Sequence, residues 1–129
     1  MNTIILTGNL TRDPELRFTN SGKAVAGFGI AVTRKYNDVE QTSFYNVTAW
    51  DTLGENVAAC LKKGDRVMVA GRPEIREYDA KDGTKRQSFD VVADEVGPSL
   101  RWATADVVKP DRNTGSRSTT RQTPDEEPF

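Results

Sequence analysis

The chain has 129 residues, enough for one domain or one domain with a tail, and its 18 Lys/Arg against 19 Asp/Glu leave a net charge of −1. It has no histidine and one cysteine, Cys60, which removes an intrachain disulfide, the commonest general base and zinc ligand, and every Ser-His or Cys-His nucleophile pair. No apolar run approaches the roughly 18 residues that span a bilayer, and polar Thr7, Gly8 and Asn9 follow Ile4-Ile5-Leu6 too soon for a signal peptide, so no membrane contact and a cytoplasmic address are expected.

In chain order, TIILTGNL at 3–10 predicts a first strand, with Gly8 at a bulge or close approach. ELRF at 15–18 and AVAGFGIAVTR at 24–34 predict a hairpin turned through Thr19-Asn20-Ser21-Gly22. Ala26, Phe28, Ile30 and Val32 share one face of its second arm and are expected to point inward. Gly27 and Gly29 occupy the other face, where a strongly bent strand needs them. TSFYNVTAW at 42–50 predicts the next strand. A helix follows. Asp51 or Thr52 suits its N-cap, and Leu53, Val57, Cys60 and Leu61 fall at helical spacing. Lys62 and Lys63 suit the negative C-terminal end, and Gly64 suits the residue after it. Strands resume at 66–79 and 84–96, joined by Ala80-Lys81-Asp82-Gly83, whose Asp-Gly is a hairpin signal. SLRWATADV at 99–107 alternates once more and predicts one extra strand. Five or so curved strands with a helix between the third and fourth is the order of an OB-fold, an all-β five-stranded Greek-key barrel.

The composition changes near Val108, which divides the chain into an expected domain over 1–108 and a tail over 109–129. Only the last residue of the tail is large and apolar, so the segment cannot bury enough surface to offset its ordering entropy and reads as disordered. Its charge is segregated. Lys109, Arg112, Arg117 and Arg121 face a single Asp111, and Asp125, Glu126 and Glu127 come last.

The strand at 42–50 carries the most chemistry. Side chains alternate along a strand, so Tyr45, Val47 and Ala49 form a core-like face, and Phe44, Asn46, Thr48 and Trp50 form the other. Two large aromatics on an otherwise polar face are what a base-stacking platform needs, because every base presents a π-face. Tyr78 repeats the arrangement beside Glu74 and Arg76, and Tyr36 follows Arg34-Lys35 at a strand end. A lone strand aromatic is usually core and a lone surface cation is usually only solvated. Paired aromatics on a polar face, with cations beside the other two, reverse that expectation. Arg34, Lys35, Lys63, Arg72 and Arg76 are the candidate phosphate contacts. Phe18, Phe28 and Phe89 fit core positions, and Trp102 fits a packing or interface position.

These residues resemble a known family. IILTGNLTRDPELRFTNSGKAVAGFGIAV and FYNVTAWDTLGENVAACLKKGDRVMVAGR are similar to the first hairpin, third strand, helix and fourth strand of bacterial single-stranded-DNA-binding proteins. DEEPF resembles the acidic tip of that family, and DEVGPSLRWATADV resembles its actinobacterial branch, in which an extra strand hooks neighbouring subunits together. A phage or plasmid copy from such a host has the same appearance. The resemblance implies stacking roles for Tyr36, Phe44, Trp50 and Tyr78, a homotetramer, and a nucleoid-associated location. It also implies that the tip, Asp125, Glu126, Glu127, Pro128 and Phe129, recruits replication and repair proteins. Three positions depart from the family pattern. Pro73 stands where a strand continues and predicts a break or bulge there. The linker is short, which limits the reach of the tip. Glu127 stands where the tip usually has a hydrophobic residue.

The resulting expectation is a non-catalytic binder of single-stranded DNA that needs no cofactor and no metal. Stacking is sequence-tolerant, and basic side chains neutralise phosphates and release counterions. The rival classes are an OB-fold RNA-binding protein, against which the acidic tip argues, and a metal-dependent nuclease, for which Asp90 and Asp94 share a strand face with no convergent third carboxylate. A pure assembly module, with no affinity for nucleic acid, is the remaining alternative.

Overall fold

The computed structural model describes residues 1–109 of the chain. The elements are β1 (Ile4–Leu10), β2 (Glu15–Phe18), β3 (Ala24–Tyr36), β4 (Val39–Trp50), α1 (Asp51–Cys60), β5 (Arg66–Asp79) and β6 (Lys85–Pro98). Hydrogen bonding orders the sheet β1-β5-β6-β4-β3-β2, and β1 also pairs with β3. That pairing, Asn9 opposite Ala31 and Leu10 opposite Ile30, closes five strands into a barrel. Strand β2 lies outside the closure, beside the first residues of β3. The result is the expected all-β OB-fold, with one helix between β4 and β5 and one strand, β2, outside the barrel. Expectations for the tail, including its disorder and its tip, concern residues outside those described.

Alternation builds the core. Ala24, Ala26, Phe28 and Ile30 on β3 point inward with Val47 and Ala49 on β4, Val67 and Val69 on β5, and Val91 and Ala93 on β6. Leu6 and Leu10 complete the wall, and Val57 and Leu61 from α1 and the residue after it close one end. The helix sits close because small residues meet there: a Cβ on Gly54 would strike the Ala49 carbonyl oxygen. On β6 the register passes from Glu95 opposite Ala70 to Ala93 opposite Gly71, which leaves Asp94 without a partner. This bulge flips the alternation and returns Val96 to the core side.

The turns follow their residue chemistry. Thr19–Gly22 is closed by the Gly22 N–H donating to the Thr19 carbonyl at 2.8 Å. Gly83, at φ +84°, donates to Ala80 at 3.0 Å, a conformation that glycine adopts without steric cost. The β3–β4 arms run further than expected, to Tyr36 opposite Val39. Asn37 and Asp38, at φ +49° and +65°, form the two-residue connection, and both residue types tolerate the left-handed region.

Several expectations need correction. The helix takes no side-chain cap: Trp50 occupies the N-cap position, and Asp51 enters the helix at φ +59°. Gly64 does not cap the C-terminus. Leu61 is extended there, and Gly64, at φ +94°, belongs to a separate turn in which Asp65 accepts from the Lys62 N–H at 2.8 Å. Pro73 does not interrupt β5, where it stands opposite Val91. Strand β1 reaches only as far as Gly71 on β5, so Pro73 has an open edge on one side, where a missing N–H is tolerated. Phe18 and Phe89 are not core residues; they are 63% and 41% exposed. Phe18 lies on the strand outside the closed barrel, and Phe89 lies where β6 leaves the wall, edge-on to Tyr45 with ring centroids 5.8 Å apart. The extra strand expected at 99–107 is absent, and the strand added to the barrel is β2. The β5–β6 ladder ends with Pro98 opposite Val67, and the Ser99 N–H donates to the Arg66 carbonyl at 2.8 Å. Strand β5 begins at Arg66, so no partner remains for the residues that follow.

Candidate nucleic-acid interface

Residues opposite one another in a ladder share a face. Across β3 and β4, Phe44 faces Ala31, Asn46 faces Gly29, Thr48 faces Gly27 and Trp50 faces Val25. Strand β6 runs parallel to β4, with Asp90 beside Asn46 and Val92 beside Thr48. On β5, Arg72, Glu74, Arg76 and Tyr78 lie opposite Val92, Asp90, Ser88 and Arg86. The outer surface is therefore continuous over β3, β4, β6 and β5. It brings together Phe44, Trp50 and Tyr78, which are 73%, 40% and 50% exposed. Lys35, Arg72 and Arg76 share this face, as do the carboxylates Glu40, Glu74 and Asp90.

The burial pattern of β4 explains why the aromatics stand free. Its last six residues alternate, with Val47 and Ala49 buried and Asn46 and Trp50 exposed. The core side is filled, so Phe44 and Trp50 are held from behind by the barrel wall. The two rings lie six residues apart, or about 20 Å along the strand, and between them the neighbouring strand presents Gly27, with open space above it, and Gly29, which is covered by Thr11 and Arg12.

Electrostatics sort the cations on the face. Arg76 donates from Nε to Asp90 Oδ2 at 3.1 Å and its terminal nitrogen lies 3.0 Å from the same oxygen, while the Ser88 hydroxyl donates to Oδ1 at 3.2 Å. Asp90 is buried beneath these partners. Arg86 lies 3.5 Å from Asp82 at the tip of the β5–β6 hairpin. The Thr84 side chain and N–H both donate to Asp82, at 2.6 and 3.1 Å, and hold its carboxyl below the ordinary carboxylate value. Lys35 and Arg72 have no ion-pair partner among the described residues.

Not every expected residue joins this surface. The β3–β4 register places Arg34 and Tyr36 on the opposite face of the arm, opposite Gln41 and Val39, although Tyr36 is 73% exposed. Lys63 lies in the loop after α1, where its N–H donates to Asp13 at 2.8 Å. Trp102, 72% exposed, has the Arg66 guanidinium 4.5 Å from its ring centroid and that of Arg101 at 5.3 Å. The pairing that suggested a two-carboxylate centre dissolves, since Asp90 is bonded to Arg76 and Asp94 falls in the bulge. Among the described residues no three His, Cys, Asp or Glu side chains gather as metal ligands, and no helix is long and apolar enough to cross a membrane.

Sequence reasoning missed two basic residues on the face. Arg17 on β2 lies opposite Val25, which lies opposite Trp50. Arg12 reaches over Gly29, with a guanidinium nitrogen 2.8 Å from where a Cβ on that glycine would stand. Alternation within one strand carries no trace of either placement, because both depend on which strands lie side by side.

Comparison with known proteins agrees with this architecture. Single-stranded DNA-binding proteins from Paenarthrobacter aurescens, Mycobacterium bovis and Mycolicibacterium smegmatis are similar to this chain. The first is 48% identical over 118 residues, covering 86% of this chain and 69% of the relative. The second is 44% identical over 129 residues, covering 95% and 79%. The third is 45% identical over 118 residues, covering 86% and 72%. Residues 1–99 match the single-strand binding protein family, and the chain belongs to that family.

Proposed function

We propose that this chain binds single-stranded DNA without sequence preference, through bases stacked on Phe44, Trp50 and Tyr78 and phosphates met by the cations around them. The observation that carries the reading is the exposure of three aromatics on one continuous sheet surface whose reverse side is core. Tyr36, exposed on the other face at the end of the β3–β4 arm, adds a further stacking surface, while Lys35, Arg72 and Arg76 supply charge on the aromatic face and Arg34 and Lys63 supply it from beside that face. Arg76 is the most constrained of these, because Asp90 fixes its guanidinium. The relatives carry the name single-stranded DNA-binding protein, which supports the same ligand class.

The protein coats single strands in replication, recombination and repair, in the cytoplasm and on the nucleoid, as a non-catalytic binder. It works as a homotetramer, a reading supported by apolar Ile5 and Met68, 65% and 51% exposed on the outside of β1 and β5, which association would cover. The chain divides into a DNA-binding domain over 1–108 and a tail over 109–129, whose tip, Asp125 to Phe129, recruits DNA-maintenance enzymes. Phe129 anchors in an apolar pocket of the partner while the acids meet basic residues there.

The deciding experiment is a tryptophan-fluorescence titration with poly-dT and with poly-U of equal length, carried out on a Trp102→Phe background so that only Trp50 reports. Quenching by poly-dT with tighter binding than poly-U is expected. A preference for poly-U would favour an RNA-binding protein, and no quenching by either would defeat the stacking reading.

A further inference from the structure

The named aromatics and cations leave two stretches of the outer surface unaccounted for: the gap between Phe44 and Trp50, and the surface beyond Trp50 toward β2. The gap spans about 20 Å along β4 and has no aromatic in it. Its floor is Asn46, Thr48 and the open Gly27, and Gly29 is covered by the Thr11 side chain and the guanidinium of Arg12. On the far side, Arg17 of β2 shares the face of Val25 and Trp50 and lies two strands, about 10 Å, from Trp50. Both arginines are exposed, and neither makes a side-chain ion pair among the described residues. Arg76 and Arg86, by contrast, are engaged by Asp90 and Asp82. Glu15, the carboxylate on the same face of β2, lies opposite Gly27 and pairs with neither arginine.

Resting on the stacking reading above, we infer that the DNA track does not end at Trp50 but crosses β3 onto β2, with Arg12 and Arg17 as phosphate contacts. A strand stacked on Phe44 and Trp50 must carry its intervening backbone over the gap. A planar, always-charged guanidinium standing there meets phosphate oxygens with paired donors. Arg17 then holds the backbone as it leaves Trp50. Free cations release more counterions on binding than a cation already neutralised by a carboxylate, so these two arginines outweigh Arg76 in the salt dependence.

The test is oligo-dT affinity measured across a salt series for the wild type, Arg12→Ala, Arg17→Ala, the double variant and Trp50→Ala. The slope of log K against log salt is expected to become shallower by about 0.7 for each arginine lost and about 1.4 for the pair. Arg12→Lys and Arg17→Lys should keep the wild-type slope. Trp50→Ala should weaken binding at every salt concentration with the slope unchanged. Arg12→Gln and Arg17→Gln repeat the measurement if an alanine variant melts lower than the wild type. An unchanged slope in all the alanine and glutamine variants, while Trp50→Ala weakens binding, would overturn the extended track alone. Wild-type binding by Trp50→Ala as well would overturn the stacking reading with it.

Discussion

Two aromatics of similar size have opposite meanings on neighbouring strands. Phe28 is fully buried in the barrel wall, and Phe44, on the next strand, is 73% exposed. Phe28→Ala removes a core ring and leaves a cavity, so it should cost about 3–5 kcal/mol of stability, read as a lower denaturation midpoint. Phe44→Ala and Trp50→Ala remove rings that pack only from behind. Each should weaken binding to poly-dT by about 1–3 kcal/mol and leave the melting temperature near that of the wild type. A Trp50→Ala protein that melts early yet binds normally would make Trp50 a wall residue. The contrast was legible in sequence because the alternation of β4 holds through Trp50. The exposure of Phe18 and Phe89 was not, since alternation assigns a face and says nothing about whether anything covers it. Both stand on the core side of strands that have run past the barrel's cover.

At the scale of elements, the turns of the β2–β3 and β5–β6 hairpins are announced by their residues, and this part of the fold was readable, whereas the Asn37-Asp38 turn that joins β3 to β4 was not anticipated. Asp82-Gly83 gives the β5–β6 tip, and the Thr84 bonds to Asp82 make the turn sensitive to acid. The carboxyl of Asp82 lies below its usual value of 3.8, so the bonds contribute fully above that pH and are lost as the pH falls through the lowered value. The Thr84 amide resonance should therefore shift at a pH below an ordinary aspartate titration, and Thr84→Val should move the Asp82 titration back up. What sequence did not disclose is lateral order beyond the hairpins it announced. Arg12 stands over Gly29 because the end of β1 closes against β3, and Arg17 joins the aromatic face because β2 pairs with β3 and β3 with β4. Pro73 is harmless only because β1 stops at Gly71. The strand expected at 99–107 had the right alternation and no strand left to pair with. The β2–β3 hairpin was legible, so the register alone could have placed Arg17. The closure of β1 on β3, the reach of β1 along β5 and the lack of a partner for 99–107 belong to segments far apart in the chain, and no window of one segment contains them.

For the whole molecule, the reading makes assembly and recruitment separable. Light scattering should give a mass of four chains of 14.3 kDa each, and deleting 125–129 should leave that mass and the affinity for poly-dT intact or slightly tighter, because the acids are like-charged to DNA. The same deletion should abolish binding to a helicase or exonuclease that recognises such tips, and Phe129→Ala alone should do most of that damage. Equal partner affinity for the full-length and deleted proteins would reject the tip, with Glu127 the first residue to revert. The two faces of β4 also make its length a matter of phase. Ala49 packs in the wall and Trp50 faces outward on the proposed stacking surface, one residue apart on the same strand. Inserting a single residue between Phe44 and Trp50 would exchange the two roles for everything on one side of the insertion. Point changes here should be tolerated in a library of variants in proportion to their chemistry, but single-codon insertions and deletions should be eliminated almost without exception.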